Sequence, residues 1–407
     1  MQSKIEIRKP KMRVSREGWL WLAASVLLLG IGLYKGINLL CLLASAMLGV
    51  LALNLFLAGR GLGRLRGQRR ISGPVFAGTP FRVELQATNP RRAALIGFSL
   101  EDVAPGQLFA GFVPRLSGGQ TIPLSRESTL PRRGQYSWGA LRAVSGYPFG
   151  LAQRRVRLAA AEEVLVLPRM GRLHRGRLQR HLRPFGPVSS RTNSQPRPHP
   201  TAQAEFHGLR AFRNGDSPRW IHWRTSAHCG ELMVREFEVV PTDNLILVLD
   251  PWRPEEVASD QCLMAYQQVS SAAKSPAGTS PLPLANLLED AISLAATICS
   301  EWCRQRGDRF VLAVASSPPI VIDGATSPDH ALRMLECLAM LAGEARPDLG
   351  ALLDRLADTA LPPATVMLVS PRDPAPLQAA LSQRLRRPVV ALDVSSVADV
   401  DFYESPR

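Results

Sequence analysis

Two apolar runs near the start of the chain, residues 18–34 and 37–59, are separated only by Lys35 and Gly36, and neither contains a charged side chain. At 1.5 Å per residue the first covers roughly 25 Å and the second about 34 Å, against a hydrocarbon core of about 30 Å. In lipid only a helix satisfies the backbone polar groups of such a segment, so the runs predict two transmembrane helices joined by a tight turn. Trp19 and Trp21 at one end of the first run, and Tyr34 at the other, suit the membrane interfaces. A cleaved signal peptide also begins basic and turns apolar, and Ala44-Ser45-Ala46 imitates a cleavage site. Against that reading, the apolar run continues through Leu57 and a basic block follows it.

The flanks predict orientation. Lys4, Arg8, Lys9, Lys11, Arg13 and Arg16 precede the pair, and Arg60, Arg64, Arg66, Arg69 and Arg70 follow it. Residues 1–17 and 60–71 therefore read as basic cytoplasmic segments of a two-pass protein of the inner (cytoplasmic) membrane, with both termini in the cytoplasm. A net charge of +15 suits an anionic partner, and its clustering beside the apolar runs favours membrane lipids over nucleic acid. Six cysteines without a Cys-x-x-Cys pair fit a reduced compartment and no zinc site. Cys299 and Cys303, four apart on a predicted helix, read as core thiols.

The rest of the 407 residues suffices for two soluble domains. Residues 72–168 show short alternating runs between Gly and Pro signals. Strands are predicted over 80–88, 96–103, 121–129, 134–143 and 163–167, in an all-β, sandwich-like domain with Tyr136 and Phe149 as core plugs. Residues 169–204 carry many Arg and Pro and no acidic residue, which predicts an extended basic linker suited to anionic headgroups. Nucleic acid is less suited, since no interleaved aromatics offer stacking platforms. From 241 to 407 a continuous apolar strand, 245–249, ends in Asp250, and an irregular insert covers 251–283. A helix (284–306), strands 310–315 and 320–322, two helices (329–342, 349–356), strand 365–370, helix 376–386 and strand 389–394 follow. That alternation predicts an α/β doubly wound parallel sheet.

Between these domains, residues 205–240 hold the densest constellation: Gly208, Arg210, Phe212, Gly215, Asp216, Arg219, Ile221, His222 and Trp223, then Val234, Arg235 and Glu236. A strand over 206–212, a positive-φ turn at Asn214-Gly215 and a helix over 218–227 capped by Asp216 or Ser217 are predicted, with a return strand over 232–239. Two readings compete. In one, Asp216, His222, Arg219, Arg224 and Glu236 form a polar site for proton transfer, as in a membrane-bound hydrolase or transferase. In the other, paired charges pin the helix against the neighbouring domain or a partner, with the tryptophans beneath. The second is favoured, because no nucleophile, phosphate loop or metal set accompanies the charges.

The pattern Gly208-x-Arg210-x-Phe212-x-x-Gly215-Asp216-x-x-Arg219-x-Ile221-His222-Trp223, with Arg133-Gly134-x-Tyr136 and Pro148-Phe149-Gly150-Leu151 upstream, resembles the domain of unknown function 58 family. The resemblance implies a C-terminal domain similar to von Willebrand factor A, and partnership with a MoxR-type AAA+ ATPase in assembly or maturation of other complexes, whose membrane subunits are further candidate partners. No cofactor is expected. Domains of that type hold a metal through Asp-x-Ser-x-Ser, where this chain reads Asp250-Pro251-Trp252-Arg253-Pro254. Asp250, with Asp373 as a second carboxylate, offers too few oxygens for magnesium. A membrane-anchored interaction protein is the leading expectation, with the enzyme and a lipid or nucleic-acid binder through the basic linker as alternatives.

Overall fold

The computed structural model describes residues 11–58, 60–185, 204–214, 216–239, 244–254, 283–305, 307–359, 364–394 and 401–405. The chain divides after Leu167 into two compact units. The first contains β1 (Lys11–Val14), α1 (Arg16–Lys35), α2 (Asn38–Leu57), β2 (Arg66–Ile71), β3 (Val75–Phe76), β4 (Phe81–Thr88), β5 (Leu95–Ala104), β6 (Gln107–Leu116), β7 (Thr121–Ser128), β8 (Gly134–Trp138), β9 (Leu141–Ser145), β10 (Ala152–Arg157) and β11 (Glu162–Leu167).

Helices α1 and α2 are each 20 residues, so each is about 30 Å long. Both are long and apolar enough to cross a bilayer. Ser15 starts α1 by accepting the Gly18 N–H at its hydroxyl (3.0 Å), and Gly36, at φ 68°, ends it in the left-handed conformation that closes the turn. The Trp21 indole N–H donates to the Met47 carbonyl across the pair at 3.0 Å.

The strands form a five-stranded sheet in the order β1-β10-β9-β5-β6 and two three-stranded sheets, β2-β4-β7 and β3-β11-β8. All pairings are antiparallel except β3 with β11. One core draws Val83 and Leu85 from β4, Phe98 and Leu100 from β5, Trp138 from β8 and Leu141 from β9. Sequence alternation located β4, β5, β7 and β11. It merged β8 and β9, which Gly139 and Ala140 divide between two sheets, and it passed over β6 and β10, where Pro114 and consecutive arginines break the apolar alternation.

Two basic flanks depart from expectation. Lys11–Val14 is not a free tail but the edge strand β1, paired with β10. In the block after α2, Arg60, Arg64, Arg66 and Arg70 are exposed, but Arg66–Ile71 is the strand β2, paired with β4, and the Arg69 side chain is 1% exposed. The cause is Asp102 of β5, which is completely buried. Its carboxylate accepts from Arg69 Nε at 3.0 Å and from a terminal nitrogen of the same guanidinium, from Arg126 at 3.4 Å and from the Trp138 indole at 3.1 Å. Arg69 also donates to the Gly139 carbonyl (2.7 Å) and to Glu162 (2.8 Å). One carboxylate thus joins strands of all three sheets, in a setting where an unpaired charge would be very unfavourable.

The second unit contains β12 (Arg172–Leu173), α3 (Arg175–Leu182), β13 (Ala204–Ala211), α4 (Trp223–Cys229), β14 (Met233–Val239), β15 (Leu245–Leu249), α5 (Pro283–Trp302), β16 (Arg309–Val314), β17 (Ile320–Ala325), α6 (Pro328–Met340), α7 (Leu349–Asp358), β18 (Thr365–Ser370), α8 (Ala375–Leu385), β19 (Val389–Asp393) and β20 (Tyr403–Glu404). Its main sheet runs β17-β16-β15-β18-β19. The pairs β15–β16, β15–β18 and β18–β19 are parallel, and all five residues of β15 are fully buried, as expected of a strand covered on both faces. The edge strand β17 corrects the all-parallel reading, because it pairs antiparallel with β16. Only residues 315–319 connect the two, far short of the dozen or so that a parallel crossover needs.

The predicted extended linker is also corrected over its first half. β12 pairs with β20, Leu178 and Leu182 of α3 are buried, and Arg175 reaches Asp308 at 3.2 Å while its guanidinium lies 4.7 Å from the Trp302 ring. Two leucines one turn apart and an ion pair are enough to fold this strap onto the sheet domain. Residues 186–203 lie outside the described residues, as does 255–282 of the predicted insert. Cys299 and Cys303 are buried, and burial pushes the Cys299 thiol well above its ordinary value and the Cys303 thiol up to about 11, which keeps both protonated.

Candidate functional site

The motif over 205–240 folds as a β-hairpin with a helical insertion: β13 pairs antiparallel with β14, and α4 lies between them in sequence. Gly208 sits at the register shift after Phe206. The predicted single helix over 218–227 is interrupted. Pro218–Trp220 forms one tight 3-10 turn, Ile221 bridges to Val234, and only then does α4 begin. Neither Asp216 nor Ser217 caps that helix through its side chain. The cap is His222, whose Nδ1 accepts from the Thr225 N–H (3.3 Å) and lies 2.8 Å from the Thr225 hydroxyl, so the neutral ring carries its proton on Nε2. Gly230, at φ 74°, ends the helix as predicted.

The charges divide into two groups. Arg210 grips Asp216 with two nitrogens at 2.7 Å each, and its Nε lies 3.4 Å from Glu236 on the opposite strand. Asp216 also accepts the Arg213 backbone N–H at 2.8 Å. These bonds lock the loop between β13 and the 3-10 turn, so the ion-pair network is internal to the hairpin. Arg219, Arg224 and Arg235 form the second group, exposed together with Trp223, which is 65% exposed. Trp223 therefore does not pack beneath the motif. Gly215 lies outside the described residues. His222 caps its helix, while Asp216 and Glu236 are both bound to Arg210, as the paired-charge reading of the motif expects.

The bonds from Arg210 and then from the Arg213 N–H hold the Asp216 carboxyl at about 2, below its ordinary 3.8. A depressed carboxyl stabilises the fold above its unfolded value and loses that contribution as pH falls through the folded one. Backbone amide exchange of β13 and β14 should therefore stay slow from neutral pH down to about 4 and quicken toward pH 2, after correction for intrinsic exchange rates. Asp216→Asn should show the quickened exchange already at neutral pH. Equal protection in variant and parent would contradict the assignment.

A second site lies where open α/β sheets bind ligands, at the carboxyl end of β15, the strand from which the sheet is wound in both directions. Asp250 follows β15 and is 2% exposed. Its carboxylate accepts from the Ser370 hydroxyl at 3.0 Å and from Arg372 Nε at 2.8 Å, and the Arg372 guanidinium stands 5.7 Å from the centre of the Trp252 ring. A fixed cation thus stands against the carboxylate that a metal would use. In the same loop the Arg253 backbone N–H donates to the Glu344 carbonyl at 2.8 Å. Arg372 was visible only as the second residue beyond β18, and sequence spacing does not reveal that it bends back to the neighbouring strand. Asp373 accepts the Ala375 N–H at 3.0 Å, at the start of α8. Among the described residues no group of three or more His, Cys, Asp and Glu is placed to hold a metal ion.

No family model matches the chain, and no curated protein does. Among solved structures, the CARDB domain of a Pyrococcus furiosus protein, crystallised with di-metal ions, is 14% identical over 25% of this chain and 91% of its own, with a TM-score of 0.19. A beta-glucosidase from Listeria innocua in complex with gluconolactone is 15% identical over 25% of this chain and 16% of its own, at 0.15. The alkylpurine DNA glycosylase AlkC of Pseudomonas fluorescens, bound to DNA with an abasic site analog, is 12% identical over 37% of this chain and 43% of its own, at 0.17. Likenesses this slight bear on neither fold nor activity.

Proposed function

We propose that the chain is a membrane-tethered docking protein of the domain of unknown function 58 type, facing the cytoplasm and engaging a MoxR-type AAA+ ATPase. Support for the tether comes from β1 and β2, which precede and follow the helix pair and belong to the same compact unit. Two such strands must lie on one side of the bilayer, and the arginines around them favour the cytoplasmic side. The sheet order β17-β16-β15-β18-β19, with its antiparallel edge, is what a von Willebrand factor A-like domain would have, and it supports that reading of the second unit.

The observation that carries docking over catalysis is the division of charge in the hairpin. Asp216 and Glu236 are held by Arg210, while Trp223, Arg219, Arg224 and Arg235 are exposed. An exposed tryptophan among exposed arginines is the composition of an interface anchor for an acidic surface. Membrane lipids hold the helix pair, and subunits of other membrane complexes are the clients that such a platform would serve.

The test is co-purification of the full chain in nanodiscs with its ATPase, parent against Trp223→Ala and Arg219→Glu. Both positions are exposed, so stability should change by no more than about 0.5 kcal/mol. Recovery of the ATPase should fall at least tenfold, the ~1.4 kcal/mol or more expected of a buried anchor. Undiminished recovery with both variants would overturn the assignment of this face.

A further inference from the structure

The loop between β9 and β10 was expected to plug the core with Phe149. Instead Phe149 is 54% exposed and Tyr147 is 42% exposed. The loop itself is tightly held. The Ser15 N–H and hydroxyl both donate to the Leu151 carbonyl, at 2.9 and 3.0 Å, where α1 begins. Gly18, in the first turn of α1, lies so close that a Cβ there would stand 2.0 Å from the same carbonyl oxygen. From the last turn of α2, the fully buried Asn54 donates to the Gly146 carbonyl (3.2 Å) and accepts the Ala152 N–H (2.7 Å). Gly150 N–H closes the turn on the Gly146 carbonyl at 2.8 Å, and the Tyr147 ring covers Gly97, whose φ of 61° and missing Cβ make room for it.

These bonds fix the height of the loop. Helices of about 30 Å match the hydrocarbon core, and the headgroup layers add only about 5–8 Å on each side. A loop clamped to the first turn of one helix and the last turn of the other therefore lies within the interfacial layer. Trp19, one residue from Gly18 and largely exposed, stands at the same level. Aromatic rings concentrate there because an apolar body and a polar edge are both accommodated.

We propose that Tyr147, Pro148 and Phe149 form a third membrane contact, an aromatic wedge seated in the lipid interface beside Trp19. The wedge would fix the β-rich part of the first unit against the bilayer and keep it from swinging about the helix ends. The occupant of this exposed aromatic patch is the lipid surface itself, argued from its continuity with the helix ends. This rests on the membrane tether proposed above.

The test uses the full chain with its cysteines replaced, in nanodiscs of phosphatidylethanolamine and phosphatidylglycerol, carrying one nitroxide label at a time. Labels go on Phe149→Cys, Tyr147→Cys, Leu42→Cys about one turn into α2 and Arg142→Cys on an exposed position of β9. Accessibility to oxygen, which prefers lipid, is compared with accessibility to a water-soluble nickel chelate. At positions 149 and 147 the oxygen-to-nickel ratio should rise several-fold above that at 142 and stay below that at 42. If 42 reads as lipid while 149 and 147 match 142, the wedge is wrong and the tether stands. If 42 reads as water, both fail. Labels at 149 and 147 shielded from both agents would mean a protein partner, a second copy included, and would also overturn the proposal.

Discussion

Replacing Asp102 with alanine will strongly destabilise the first unit. The substitution leaves Arg69 and Arg126 buried, with the Trp138 indole N–H and no carboxylate between them. Removing one partner of such a network costs about 3–5 kcal/mol, a large share of the roughly 5–15 kcal/mol that holds a domain together. For a unit of this size the melting temperature should fall by roughly 10 °C, taking ~2–4 °C per kcal/mol. The sharper comparison is with the triple variant Arg69→Met, Asp102→Leu, Arg126→Met, which removes all three charges. Its melting temperature should lie well above that of Asp102→Ala, although the Gly139 carbonyl loses its donor. Differential scanning calorimetry of the full chain in nanodiscs measures both, and a triple variant as unstable as the single one would contradict this account of the core.

The second large effect is expected at Arg372. Arg372→Ala strands the Asp250 carboxylate in the sheet with the Ser370 hydroxyl as its remaining side-chain donor. Because Arg372 is itself 34% exposed, water will replace part of what is lost, and about 2–3 kcal/mol is the expected cost. The reverse change, Asp250→Asn, leaves the cation half in solvent and should cost about 1 kcal/mol. This asymmetry separates a structural counter-ion from a guest. In the parent, neither magnesium nor a chelator should move the melting temperature of the second unit, because the guanidinium already stands against the carboxylate. Stabilisation by magnesium in the parent would show that Arg372 yields to a metal.

What the sequence revealed follows physical lines. Period-two alternation exposed β4 and β7, and continuous apolar runs exposed α1, α2, β15 and β18, because each of these elements is defined by its own residues. Strands whose burial is decided elsewhere escaped. β2 reads as Arg-Gly-Gln-Arg-Arg-Ile, and nothing local says that Arg69 will be dry; the reason is Asp102, 33 residues away. β1 was hidden for the same reason, since it pairs with β10, far along the chain. The reversal of β17 was readable from the length of the preceding loop. In the hairpin, residue types marked the motif correctly, but which arginine would take the carboxylates was a matter of geometry. Arg210 reaches both Asp216 and Glu236 because strand pairing sets it near them, whereas Arg219 and Arg224 are carried outward on the 3-10 turn and α4.

In the proposed function the Trp223 face holds the partner, with Asp216 and Glu236 behind it bound to Arg210. Site-specific photo-crosslinking in the native membrane tests it most directly, with a benzoylphenylalanine at position 223 and a control at Leu332, an exposed residue of α6. An adduct with the AAA+ ATPase is expected at 223 and none at 332. An equal yield at both positions, or no ATPase adduct at 223 while the ATPase is present, would contradict it.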